Sequence, residues 1–241
     1  MKRKTNKTAF VTGGARRLGK EICLTLAREG YDVGFTYLNS LKDSEKTEKE
    51  LKEIGVKVYR QRADLSNPEE VGNFFQKAVF ELGKPYVLIN NASVFERTPL
   101  GRLNSDIFDT VINTNLKSYY LTSIEAAKLM KKGGRIINIS SLGGTKPYKN
   151  YLPYSVSKAG VDMLTRCLAL ELAPEILVNS IAPGVLKMKG ESRKEFLPNA
   201  EKIPLKKYGS PCEITNFILS LINSEYITGQ VFLIDGGKVL T

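Results

Sequence analysis

The 241-residue chain contains no histidine. That absence removes Ser-His-Asp hydrolases, His-ligated zinc hydrolases and histidine general bases together. Acid–base chemistry must then use Tyr, Lys, Asp, Glu or Cys. Cysteine is scarce: Cys23, Cys167 and Cys212 are far apart, odd in number and form no C-x-x-C pair. Neither a disulfide framework nor a metal site is expected, but three buried, reduced thiols. No apolar run approaches the roughly 18 residues of a membrane span, and no apolar h-region stands near residue 1. The expectation is a cytoplasmic chain, neither exported by a cleaved signal nor embedded in a membrane. The net charge of +11 arises from 36 basic and 25 acidic residues. These are scattered, apart from Met1-Lys2-Arg3-Lys4 and the mixed stretch 42–53. Scatter favours a solvated surface and a phosphate-bearing cofactor over nucleic acid.

Short apolar runs alternate with helical periodicities throughout. Strands are expected at 7–12, 32–37, 56–60, 86–90, 134–139, 177–181 and 230–234. Helices are expected near 18–29, 42–54, 67–82, 104–131, 153–173 and 211–223. Asn67-Pro68-Glu69-Glu70 and Asn104-Ser105-Asp106 read as helix starts, and Gly30, Gly55 and Gly83 as stops. Val87-Leu88-Ile89 and Ile136-Ile137-Asn138-Ile139 suit central parallel strands covered on both faces. The fold class is α/β: a Rossmann-type doubly wound parallel sheet of about seven strands with helices on both faces. With no repeat, low-complexity tract or linker, residues 1–241 read as one domain.

The turn after the first strand is Thr12-Gly13-Gly14-Ala15-Arg16-Arg17-Leu18-Gly19. A glycine-rich turn opening a helix makes an anion site from unpaired N–H groups and the helix dipole. Arg17 stands where a third closely spaced glycine would be expected. The second strand ends Phe35-Thr36-Tyr37-Leu38-Asn39-Ser40, without the acid that commonly holds a ribose 2′-hydroxyl. Arg16, Asn39 and Ser40 would instead suit a 2′-phosphate, favouring NADP(H) over NAD(H).

Tyr154 and Lys158 lie four residues apart on one helix face. A lysine ammonium one turn away would favour the phenolate and lower the tyrosine pKa. Ser141 ends a central strand, at the sheet edge where ligands sit. Asn90-Asn91-Ala92-Ser93 follows the preceding strand, and Asn115 lies within a helical pattern, where a buried polar residue needs a partner.

Together Thr12-Gly13-x3-Arg17-x-Gly19, Asp64-Leu65, Asn90-Asn91-Ala92, Asn115, Ser141, Tyr154-x3-Lys158, Asn179, Pro183-Gly184 and Asp235-Gly236-Gly237 resemble the short-chain dehydrogenase/reductase family over essentially the whole chain. The resemblance implies Tyr154 as proton donor and acceptor. Lys158 would bind the nicotinamide ribose and lower the tyrosine pKa. Ser141 would hydrogen-bond the reacting group, and Asn115 would hold a relay water. Asp64 would meet the adenine edge, with Asn90 and Ala92 on the adenosine side. Cofactor contacts would also come from Gly13, Leu18, Gly19, Tyr37, Leu65, Asn91, Ser93, Pro183 and Gly184. The family pairs the helices at 104–131 and 153–173 across subunits, implying a homo-oligomer, dimer or tetramer. Tyr119, Tyr120 and Met163 suit that interface and suit core packing equally.

Arg17 and the stretch Asn90-Asn91-Ala92-Ser93-Val94-Phe95-Glu96-Arg97-Thr98-Pro99-Leu100 most resemble the pteridine reductase branch. Phe95 would then stack on a pterin, with Arg17 and Ser93 reaching pterin or cofactor phosphate. Phe95 as a loop-base hydrophobe and Arg17 as a phosphate ligand alone are the plainer readings. Ser141 departs from the aspartate of the best-known pteridine reductases, and Met188 from a threonine that holds the nicotinamide carboxamide in many relatives. The charged segment 187–205 reads as a mobile substrate lid. The expected activity is NADPH-dependent reduction of a pterin or dihydrofolate. The alternatives are a carbonyl reductase such as a 3-oxoacyl-acyl-carrier-protein reductase, a non-catalytic NADPH-binding protein and a nucleic-acid binder.

Overall fold

The computed structural model describes residues 7–188 and 199–241. The basic run at 1–4 and the centre of the expected lid lie outside the described residues. Seven parallel strands form one sheet: β1 (Thr8–Val11), β2 (Asp32–Tyr37), β3 (Val58–Arg62), β4 (Pro85–Asn90), β5 (Gly134–Ile139), β6 (Ile176–Pro183) and β7 (Val231–Ile234). Their order is β3-β2-β1-β4-β5-β6-β7. The chain therefore reverses its direction of travel between β1 and β4, and a crevice opens there at the carboxyl ends of the strands.

The helices are α1 (Arg17–Arg28), α2 (Leu41–Ile54), α3 (Pro68–Leu82), α4 (Ser105–Ile112), α5 (Ser118–Leu129), α6 (Leu152–Leu172) and α7 (Pro211–Asn223). Alternation along the strands divides the core into two layers. Ala9, Val11, Val87, Ile89, Ile137 and Ile139 face α1 and α7, meeting Ile22, Leu26, Ile214 and Ile218. Phe10, Leu88 and Ile136 point the other way, toward α3, α5 and α6. There Phe10 packs edge-on against Phe74 and Phe75, with ring centroids 5.5 and 5.6 Å away. The Asn67 and Asn104 side chains accept from Glu69 N–H and Ile107 N–H, both at 2.9 Å, capping α3 and α4.

Three expectations need correction. The helix expected at 104–131 is two α-helices around a π-turn at Asn113–Lys117. The third strand is displaced from 56–60 to Val58–Arg62, and as an edge strand it accepts Arg60 and Arg62. Only Cys23 is buried; Cys167 and Cys212 are exposed on helices. Among the described residues, no helix is long and apolar enough to cross a membrane.

Candidate active site

A cleft of about 1240 Å³ runs along the carboxyl edge of the sheet, from Asn39 and Asp64 across the β1–β4 crevice to Tyr154. This exceeds the roughly 300–1,000 Å³ of ordinary small-molecule pockets and fits a dinucleotide with a second ligand. At the β1 end the chain turns sharply into α1. Gly13 has φ +65°, and a Cβ there would press on the Ala92 backbone at 3.0 Å. A Cβ at Gly19 would collide with the Gly13 carbonyl. The N-cap residue Arg16 gives α1 no side-chain cap, and the start of the helix lines the cleft. These features fit a dinucleotide pyrophosphate.

The turn is held from behind. The buried Thr12 Oγ1 accepts from Asn91 N–H at 2.8 Å and Ala92 N–H at 3.0 Å. Asn91 Nδ2 donates to the carbonyls of Thr12 and Gly13 at 2.9 and 3.2 Å. Thr47 Oγ1 donates to the Ala15 carbonyl at 2.8 Å, tying α2 to the turn. Beneath the β2 end, Arg60 pairs with Glu48 and donates to Tyr37 Oη at 3.3 Å. Asp64 accepts from Ser66 N–H and Ser66 Oγ, fixing its own turn at the cleft wall.

The other end is built from hydroxyls. Ser141 Oγ accepts from Gly143 N–H at 3.0 Å, and Ser141, Tyr148 and Tyr154 line the cleft together. The two tyrosine rings lie nearly parallel, 6.5 Å apart and 11° inclined. A Cβ on Gly143 would press on both, at 3.0 and 3.1 Å. Lys158 is 1% exposed and donates to the Ile139 carbonyl at 2.8 Å and to Tyr119 Oη at 3.4 Å. Burial pushes its pKa down to about 7, partly opposed by the Asp162 carboxylate. Burial also pushes Tyr154 above its ordinary value; Ser141 opposes this and Tyr148 adds to it. Lys158 Nζ points at Ile139 and Tyr119 and stands 5.9 Å from the centre of the Tyr154 ring. Phe95 stacks on Tyr151 at 4.5 Å and 8°, and meets the Tyr154 ring edge-on at 4.7 Å.

Over residues 13–238 the chain matches the family described as enoyl-(acyl carrier protein) reductase. A 3-oxoacyl-(acyl-carrier-protein) reductase FabG of Staphylococcus epidermidis is 34% identical, over 98% of this chain and all of the relative. Escherichia coli YohF, an uncharacterized oxidoreductase, is 33% identical over 97% of this chain and 96% of its own. Among solved structures, a Serratia marcescens short-chain dehydrogenase/reductase superposes with a TM-score of 0.91 at 33% identity, covering 97% and 98% of the two chains. A metagenomic blue fluorescent protein in complex with NADPH gives 0.89 at 31% identity, covering 96% and 97%. The chain belongs to the short-chain dehydrogenase/reductase family. It is an oxidoreductase by that membership.

In this short-chain dehydrogenase/reductase one cleft brings together Gly13, Arg16, Arg17, Leu18, Gly19, Tyr37, Asn39, Ser40, Asp64, Leu65, Asn91, Ala92, Ser93, Phe95, Ser141, Tyr154, Lys158, Pro183 and Gly184. Asn115 does not line it. Its side chain closes a pair of bonds with Val94, accepting from N–H at 2.8 Å and donating to the carbonyl at 2.9 Å. Asn90 also turns away from the cofactor side. It is fully buried, donating to Ser123 Oγ and Asn138 Oδ1 at 2.9 Å and accepting from Thr122 Oγ1 at 2.7 Å. Tyr119 is core, whereas Tyr120 and Met163 are exposed. Sequence reasoning missed Thr12, Tyr148 and Tyr151. Thr12 and Tyr148 each sit in a quoted or neighbouring motif, yet only the fold shows what their side chains meet.

Proposed function

We propose that this enzyme uses NADPH to reduce the ketone of a 3-oxoacyl thioester or a similar carbonyl compound. The observation that carries the reading is the convergence of Ser141 and Tyr154 on one cleft at the end of β5, with the buried Lys158 behind them. The similarity to 3-oxoacyl-(acyl-carrier-protein) reductases supports the substrate class. Cofactor choice follows from the β2 end, where Tyr37, Asn39, Ser40 and Arg16 line the cleft without an acidic neighbour among them. Gly13, Gly19 and the start of α1 would hold the pyrophosphate, Arg16 and Ser40 the 2′-phosphate, Asp64 and Leu65 the adenine side, and Pro183 and Gly184 the nicotinamide side. When bound, NADPH supplies the hydride that the carbonyl carbon accepts.

Ser141 would hold the carbonyl oxygen while Tyr154 gives it a proton. Burial keeps Tyr154 protonated at neutral pH, which suits a donor. Lys158 stabilises the phenolate left behind and helps to return its proton. The Asn115 side chain, committed to Val94, holds the loop beside the cleft.

Pterin reduction is the second reading, favoured by Arg17 and Phe95 in the same cleft. One face of Phe95 is already taken by Tyr151, which weakens stacking as its purpose. We also propose one domain, a cytoplasmic location, and a dimer or tetramer formed through the exposed apolar residues Tyr120, Val156, Met163 and Leu170 of α5 and α6. The test is NADPH oxidation with an acetoacetyl thioester, dihydrobiopterin and dihydrofolate side by side. Turnover of the thioester is expected; activity on the pteridines alone overturns the reading in favour of the second.

A further inference from the structure

We infer that Tyr119 is a positioning residue for Lys158: its hydroxyl, anchored on the Ile139 carbonyl, fixes the direction in which the lysine presents its remaining N–H to the cleft. The inference rests on the proposed role of Lys158. An ammonium has three donors. Lys158 sends one to the Ile139 carbonyl at 2.8 Å and one toward Tyr119 Oη at 3.4 Å. Tyr119 Oη donates its own proton to that same carbonyl at 3.1 Å, which leaves its lone pairs for the lysine. The three groups close a triangle at the carboxyl end of β5, two residues before Ser141. With two donors spent there, the third is left for the cleft that Lys158 lines.

The triangle cannot easily relax. Tyr119 is 1% exposed and among the largest fully buried side chains. Its ring lies 5.0 Å from Lys158 Nζ, so the cation also meets a π-face. The π-turn at Asn113–Lys117 immediately precedes α5 and sets the register that brings Tyr119 to the β5 edge. Among the described residues, no carboxylate touches the ammonium. Asp162 and Tyr154 act on Lys158 from its own helix, and Tyr119 faces it from α5. Neutral oxygens therefore hold a buried cation whose proton is already easily lost. Removing one of them favours the neutral amine.

The test is the titration of Lys158 in the ligand-free protein, followed by NMR of lysines labelled at Cε, its signal assigned by disappearance in Lys158→Met. Tyr119→Phe keeps the ring and deletes the hydroxyl. The expected result is a Lys158 midpoint lower by about 0.5–1 unit, with a parallel shift in the pH profile of kcat. A midpoint within 0.2 unit of the parent, with an unchanged kcat profile, overturns the inference even if melting temperature falls. Should Tyr119→Phe not fold, 3-fluorotyrosine at position 119 preserves the shape with a weaker acceptor. A smaller downward shift is then expected, and no shift overturns the inference. The proposed function fails separately, if Lys158→Met retains normal turnover.

Discussion

The two ends of the cleft are made differently. The β1–β2 end is backbone: a tight turn, the start of α1, and side chains such as Thr12 and Asn91 that brace the main chain from behind. The β5–α6 end is side-chain chemistry, with Ser141, Tyr148 and Tyr154 gathered at the cleft and Lys158 hydrogen-bonded to Tyr119 behind them. Backbone binding suits a ligand region that every turnover presents unchanged. Hydroxyls and a buried amine suit the point where protons move. Binding and turnover should therefore be separable by mutation.

The hardest blow to the first end is Gly19→Ala. Its new methyl group meets the Gly13 carbonyl and must displace α1 or the turn. A loss of about 3 kcal/mol in stability, with NADPH affinity down at least tenfold on the order of one lost anion contact, is expected by thermal melting and fluorescence titration. Thr12→Val is nearly isosteric yet strands the N–H groups of Asn91 and Ala92. It should cost about 2 kcal/mol in a denaturant titration. A neutral Thr12→Val would break the claim that this end is braced from behind.

At the other end, pH sharpens the contrast. The folded-state pKa of Lys158, about 7, lies below its ordinary value of 10.5. Between those values the unfolded chain binds more protons than the folded one, so stability rises with pH. Relative to Lys158→Met, the protein should gain stability as pH rises from 7 toward 10, with no further difference in slope below 7. Equal pH dependence in the two proteins would contradict the buried amine. The smallest effect is expected from Arg17→Gly. Arg17 sits at φ +52°, a left-handed conformation that glycine adopts freely. Backbone relief of about 1 kcal/mol is set against a lost cation, and NADPH affinity should fall by no more than about tenfold.

The comparison also explains what could be read from the sequence. The strands at 32–37 and 134–139 occupy the residues marked by their apolar runs, and both asparagine caps stand where their helix-start signals place them. The turn and the Tyr154–Lys158 pair were legible because each is local: close glycines, or four residues on one helix. Tyr119, Tyr148 and Thr12 were not legible in those roles. Their neighbours Ile139, Tyr154 and Asn91 lie 20, 6 and 79 residues away, and nothing in a tyrosine or threonine names its partner. Asn90 was misplaced for the same reason: a motif locates it at the strand end but not on which side its amide turns. The π-turn left only a polar Asn115 inside an apolar pattern, and its side chain proved to hold the Val94 loop.

One measurement tests the separation most directly: NADPH affinity and turnover of Tyr154→Phe on a single preparation. The account predicts affinity within about threefold of the parent and turnover lower by about 100-fold or more. Near-normal turnover, or loss of NADPH binding together with turnover, would contradict it.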